Sequence, residues 1–98
     1  SGQVGSKPGT REIVEGGIGA ETTQTLNNIK MILNDLGSNS DKIFKCLCML
    51  EDINDYTEMN KAYTRYFNSR DSLPSRSTFA GSGLALGAKI EIECWATK

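Results

Sequence analysis

Ninety-eight residues with 11 Lys+Arg against 12 Asp+Glu, a net charge of −1, no histidine and three cysteines bound what this chain does. The length suits one domain, residues 1–98, with a small core. The balance of charge gives a pI of about 5.4, which argues against the basic face that nucleic acid needs; no apolar run approaches the roughly 20 residues of a spanning helix, and without histidine there is no Ser-His or Cys-His nucleophile.

The chain opens on Ser1 rather than on methionine, so a preceding segment, with any targeting signal, is expected outside these residues. Gln3-Val4 reads as the end of a strand. Lys7-Pro8-Gly9-Thr10 is a turn, Glu12-Ile13-Val14 an extended piece, and Gly16 to Gly19 a flexible approach to a helix. Over residues 21–36, Leu26, Ile29, Ile32, Leu33 and Leu36 fall on one helical face, and Gly37 stands where a C-terminal cap glycine belongs. Ile43–Leu50 reads as a strand, with Phe44, Cys46, Cys48 and Leu50 on one face and Ile43, Lys45, Leu47 and Met49 on the other. Both faces are largely apolar.

Asn54 or Asp55 is positioned to cap a second helix whose stripe is Met59, Ala62, Tyr63, Tyr66 and Phe67. Residues 75–80 and 89–96 read as strands around the glycine turn Gly81-Ser82-Gly83. The order β–α–β–α–β–β, with two helices beside one sheet, predicts an α+β fold. Two helices cover one face of a sheet only. Ile43, Leu47, Met49, Ile90, Ile92 and Trp95 ask for burial on both, which predicts a closed homo-oligomer.

Cys46 and Cys48, two apart on one strand face, have Cα atoms roughly 6.5–7 Å apart, awkward for a disulfide. With Cys94 as the third, the expectation is free thiols, buried as small apolar groups, in a reducing compartment. No CxxC pair and no histidine leave no metal site.

Arg76 and Glu91 stand out in the last quarter. If the glycine turn joined their strands as a hairpin centred near Gly83–Leu84, the two would lie roughly opposite each other. An arginine fork holds a planar carboxylate bidentately, and a carboxylate beside it moves a proton. From spacing alone the pair reads first as an ordinary cross-strand surface ion pair worth about 0–1 kcal/mol.

Six fragments settle that choice. Ser1-Gly2-Gln3-Val4-Gly5, Leu26-Asn27-Asn28-Ile29, Asp52-Ile53-Asn54-Asp55-Tyr56, Met59-Asn60-Lys61-Ala62-Tyr63, Pro74-Ser75-Arg76-Ser77-Thr78 and Ile90-Glu91-Ile92-Glu93, in order over nearly the whole chain, resemble the RidA/YjgF family of imine/enamine deaminases, also known as L-PSP endoribonucleases. The resemblance implies a chorismate-mutase-like α+β fold, a homotrimer whose sheets form a central barrel, clefts between subunits, and hydrolysis of imino acids to 2-keto acids and ammonia without a cofactor. It implies Arg76 as the substrate-binding arginine and Glu91 as the group that handles water or protons. Ser1, Gly2 and Asn60 match further cleft contacts. Thr78 stands where bacterial members often carry cysteine. It also implies an upstream segment, with the first strand and a pocket tyrosine, and a cytoplasmic or, given an upstream signal, mitochondrial protein. The other readings are RNA cleavage and a non-catalytic small-acid-binding oligomer.

Overall fold

A computed structural model describes residues 2–98; Ser1 lies outside the described residues. The elements are β1 (Gln3–Val4), α1 (Ile18–Asp35), β2 (Ile43–Leu50), α2 (Tyr56–Tyr66), β3 (Ser75–Ala80) and β4 (Ile90–Ala96). Their sequence is the one read from the periodicity. The α+β class holds, with a mixed four-stranded sheet and two helices.

The sheet order is β1-β4-β2-β3. β2 is central: it pairs in parallel with β3 and antiparallel with β4, while β1 pairs antiparallel with the far side of β4. The expected β3–β4 hairpin therefore does not exist. A helix-linked β2–α2–β3 unit makes β3 parallel to β2. The glycine-rich segment after it then crosses the end of β2 to reach the other side, through a single 3-10 turn at Ala85–Gly87.

Local chemistry explains the helix limits. α1 begins three residues before the expected Glu21, at Ile18, directly after Gly17. Its end is a Schellman motif: Gly37 takes φ of 80°, its N–H donates to Asn34 O at 3.2 Å, and Ser38 N–H donates to Leu33 O at 2.8 Å. The approach to α2 is capped by neither Asn54 nor Asp55. The Asp52 carboxylate accepts from Asn54 N–H at 2.9 Å and closes a 3-10 turn that runs into the helix.

Both helices lie on one face of the sheet. The core there gathers Leu26, Ile29, Met59, Tyr63 and Phe67 from the helices with Ile43, Cys46, Cys48, Leu50, Ile90 and Ile92 from the strands. Tyr63 and Phe67 pack edge to face, ring centroids 5.0 Å apart. A β-bulge between Ile43 and Lys45 corrects the expected facing of β2: it turns Ile43 into the core and leaves Phe44 52% exposed.

The cysteine expectation also needs correction. Cys46 and Cys94 form a disulfide across β2 and β4, with Cα atoms 4.1 Å apart, and only Cys48 is free. The antiparallel register sets Cys46 directly opposite Cys94, a neighbour 48 positions away that spacing along the chain cannot show.

Asn28 ties β1 down. Its Nδ2 donates to Val4 O at 3.0 Å and Ser6 O at 2.9 Å, and its Oδ1 accepts from Gln24 at 2.9 Å. Asn28→Ala removes both bonds, to β1 at Val4 and to the segment after it at Ser6, so it is expected to cost about 2 kcal/mol. A urea titration checks this as a lower midpoint at unchanged slope.

Candidate active site

The register places Arg76 and Glu91 on opposite faces of the sheet. Arg76 is the cross-strand partner of Cys46 and Glu91 that of Met49, and side chains alternate along β2. Arg76 thus points to the helix side and Glu91 to the bare side. β2 lies between their strands, so their backbones are roughly 10 Å apart. The expected pairing of Arg76 with Glu91 across a hairpin does not occur within one chain.

Arg76 is held by α2. Its Nη2 donates to the Tyr56 hydroxyl at 2.9 Å, its Nη1 approaches Met59 Sδ at 4.0 Å, and its Cζ lies 4.6 Å from the Tyr63 ring centroid and 5.5 Å from that of Tyr56. Among the described residues no carboxylate lies within ion-pair distance of it; the ion pairs found are Lys7–Glu12 and Lys61–Glu58. A half-buried guanidinium stacked on aromatic rings and left without an anion is poised to take one from solution. Helical spacing puts Asn60 one turn beyond Tyr56, on the flank of α2 that meets Arg76. Thr78 follows Arg76 on the same face of β3, and its hydroxyl is buried without a hydrogen-bond partner.

Glu91 lies on the uncovered face, half-buried, with Gly2 against it. A Cβ at Gly2 would collide with the Glu91 carboxylate. A side chain at Gly2 would push the Glu91 carboxylate out of this position, so glycine there keeps the backbone close to the acid. So Gly2 and Glu91 form one group, and Arg76, Asn60 and Thr78 another. Ser1 lies outside the described residues.

The cross-strand neighbours of Glu91, Val4 and Met49, are apolar. Phe79, Met49 and Glu91 form one cross-strand row, Leu47 and Glu93 another, and Lys45 beside Trp95 a third. Phe79 is 48% and Trp95 38% exposed. The Lys45 ammonium sits 5.0 Å from the Trp95 ring centroid.

Sequence reasoning assigned Tyr63 to the core and passed over Tyr56. Tyr63 is buried as expected, yet its ring also carries Arg76. The signal that was available is the placement of two tyrosines seven apart, both on the flank of α2 that faces β3.

The Endoribonuclease L-PSP family model matches residues 1–98. A bovine (Bos taurus) protein named 2-iminobutanoate/2-iminopropanoate deaminase is 37% identical over all 98 residues, which span 70% of its length. The crystal structure of the Escherichia coli YjgF gene product superposes with a TM-score of 0.91 at 31% identity, over all of this chain and 77% of that one. E. coli TdcF, solved with bound serine, gives a TM-score of 0.91 at 29% identity over the same shares. The chain belongs to the RidA/YjgF (Endoribonuclease L-PSP) family.

Burial pushes the Cys48 thiol up from 9.0 to about 11, partly offset by the Arg76 guanidinium. The fold favours the protonated thiol. Its contribution to stability is therefore complete below pH 9 and lost as pH rises through 11. Alkylation by iodoacetamide checks this: Cys48 is expected to be inert at pH 8 in the folded protein and to react once urea unfolds the chain.

Proposed function

We propose that this chain is an imine/enamine deaminase. It hydrolyses 2-imino acids such as 2-iminobutanoate and 2-iminopropanoate to 2-keto acids and ammonia. The observation that carries the reading is the Arg76 guanidinium, aimed by Tyr56 and Tyr63 and left without a carboxylate partner among the described residues, in a chain 37% identical to a protein named for that activity.

The chemistry asks little of the protein. A free imine already reacts with water, so orientation, one placed water and a proton relay suffice. Arg76 takes the substrate carboxylate in its fork. Water adds to the C=N carbon and yields a carbinolamine. Glu91 takes a proton from that water and gives it to the nitrogen, then carries the carbinolamine hydroxyl proton to the same nitrogen. Ammonia then leaves and the keto oxygen forms, so water and imine enter and keto acid and ammonia depart in balance. Gly2 offers its backbone beside Glu91, and Asn60 and Thr78 line the Arg76 side.

The two groups of residues lie on opposite faces of one chain. The site we propose is therefore built between copies, with Arg76 of one chain meeting the partner's Glu91. The apolar face bearing Phe44, Phe79 and Trp95 supports such contact, since a bare patch of this kind marks an interface. The assembly is proposed to be a homotrimer. Light scattering at micromolar concentration is expected to give three times the chain mass; a stable monomer contradicts it.

RNA cleavage is the second reading, favoured by the family's description alone. It would show as binding that weakens steeply with salt.

The test of the first reading couples the protein to a serine/threonine dehydratase and follows ammonia and keto acid. Faster release than with the dehydratase alone is expected. Arg76→Lys is expected to lose at least about tenfold of the gain, because one ammonium cannot replace the fork. Wild-type rates in Arg76→Lys contradict the bidentate anchor.

A further inference from the structure

Arginine donates hydrogen bonds and accepts none. In the bond between Arg76 Nη2 and the Tyr56 hydroxyl, the tyrosine oxygen must therefore be the acceptor. Its own proton points elsewhere, and among the described residues no group accepts it. Tyr56 is the first residue of α2 and 41% exposed, so this hydroxyl stands at the solvent edge of the guanidinium rather than behind it. The contrast with Tyr63 is clear. That ring lies under the guanidinium as a buried support, and its hydroxyl is sealed from solvent without a partner.

We propose that Tyr56 is a second substrate anchor: its hydroxyl, accepting from Arg76, presents its proton to a carboxylate oxygen of the acid that Arg76 binds. The proposal rests on the deaminase reading for the identity of that acid. Arg76 polarises the hydroxyl by donating to it, which strengthens the bond the hydroxyl gives in turn. The carboxylate then meets a three-point cradle, two guanidinium N–H groups and one phenol O–H. One guanidinium proton is diverted to the tyrosine, and the tyrosine returns a proton to the same ligand. The arrangement selects for a planar carboxylate over a neutral carbonyl compound, since only an anion gains from all three donors.

Tyr56→Phe keeps the ring, its stacking distance to Arg76 and the start of α2, and removes only the hydroxyl. The experiment titrates the parent chain and Tyr56→Phe with 2-oxobutyrate by calorimetry and, in parallel, measures imine hydrolysis coupled to the dehydratase. The expected result is affinity for 2-oxobutyrate weaker by about tenfold in Tyr56→Phe, the size of one charge-assisted hydrogen bond. KM is expected to rise by a similar factor, with kcat within about twofold of the parent. Unchanged affinity and KM overturn the anchor and leave the deaminase reading intact. A fall in kcat at unchanged KM also overturns it, since the hydroxyl would then act in proton transfer. If the parent binds 2-oxobutyrate and releases no ammonia, the deaminase reading falls, while the titration still decides on Tyr56. If the parent binds no 2-oxobutyrate, the KM comparison decides on Tyr56 and ammonia release decides on the deaminase reading.

Discussion

The register of β2 against its two neighbours governs the molecule. Cys46 faces both Arg76 on β3 and Cys94 on β4, and Met49 faces both Phe79 and Glu91. Because side chains alternate along a strand, every residue in the Cys46 set turns to the helices and every residue in the Met49 set turns away. A slip by one residue would invert both sets. It would bring Arg76 to the bare face and bury Phe79. The core holds the register, since Ile90, Ile92, Cys48 and Leu50 fit between the helices only in this phase.

That division gives the two faces different tasks. The helix side supplies rigidity. Tyr63, Phe67, Leu26 and Met59 form a packed layer, and Arg76 reaches its place by lying on that layer with its charge at the margin. The cost of taking a guanidinium partly out of water is offset by two aromatic rings and one hydroxyl rather than by an acid, which leaves its donors available. The bare side supplies Glu91 and Gly2 on a surface of Phe79, Met49, Leu47 and Trp95. An acid with apolar cross-strand neighbours on an open sheet has little use in isolation. Covered by a second copy, it becomes a carboxylate in a dry cleft, where a proton relay works best.

Periodicity and turn chemistry made the elements readable. The stripe from Leu26 to Leu36 and the cap at Gly37 fix α1, and the apolar run Ile43–Leu50 fixes β2. The pairing of the strands was not readable. Gly81-Ser82-Gly83 has the composition of a hairpin turn, and nothing local distinguishes that from a crossover over β2. The consequence was large, since a hairpin would join Arg76 to Glu91 and the crossover separates them. Cys94 was missed as the partner of Cys46 for the same reason: strand neighbours far apart in sequence leave no periodic trace. The bulge at Ile43 also escaped, because one inserted residue inverts a facing without changing composition. Arg76 and Glu91 stood out by their chemistry and gained their roles from motif resemblance, while Gly2, Asn60 and Thr78 came from the resemblance alone, which carries chemistry without geometry. Tyr56 came from geometry alone.

The central claim is that Arg76 and Glu91 act on one substrate from two different chains. Mixed assembly tests it most directly. Arg76→Ala and Glu91→Gln chains, each nearly inactive alone, are unfolded together in equal amounts and refolded, and imine hydrolysis is measured. With one site between each neighbouring pair, random mixing returns an intact Arg76 and an intact Glu91 to about a quarter of the sites, so activity is predicted to recover to about that share of the parent's. Activity that stays at the level of the separate variants, in mixtures shown to contain both chains, contradicts the account.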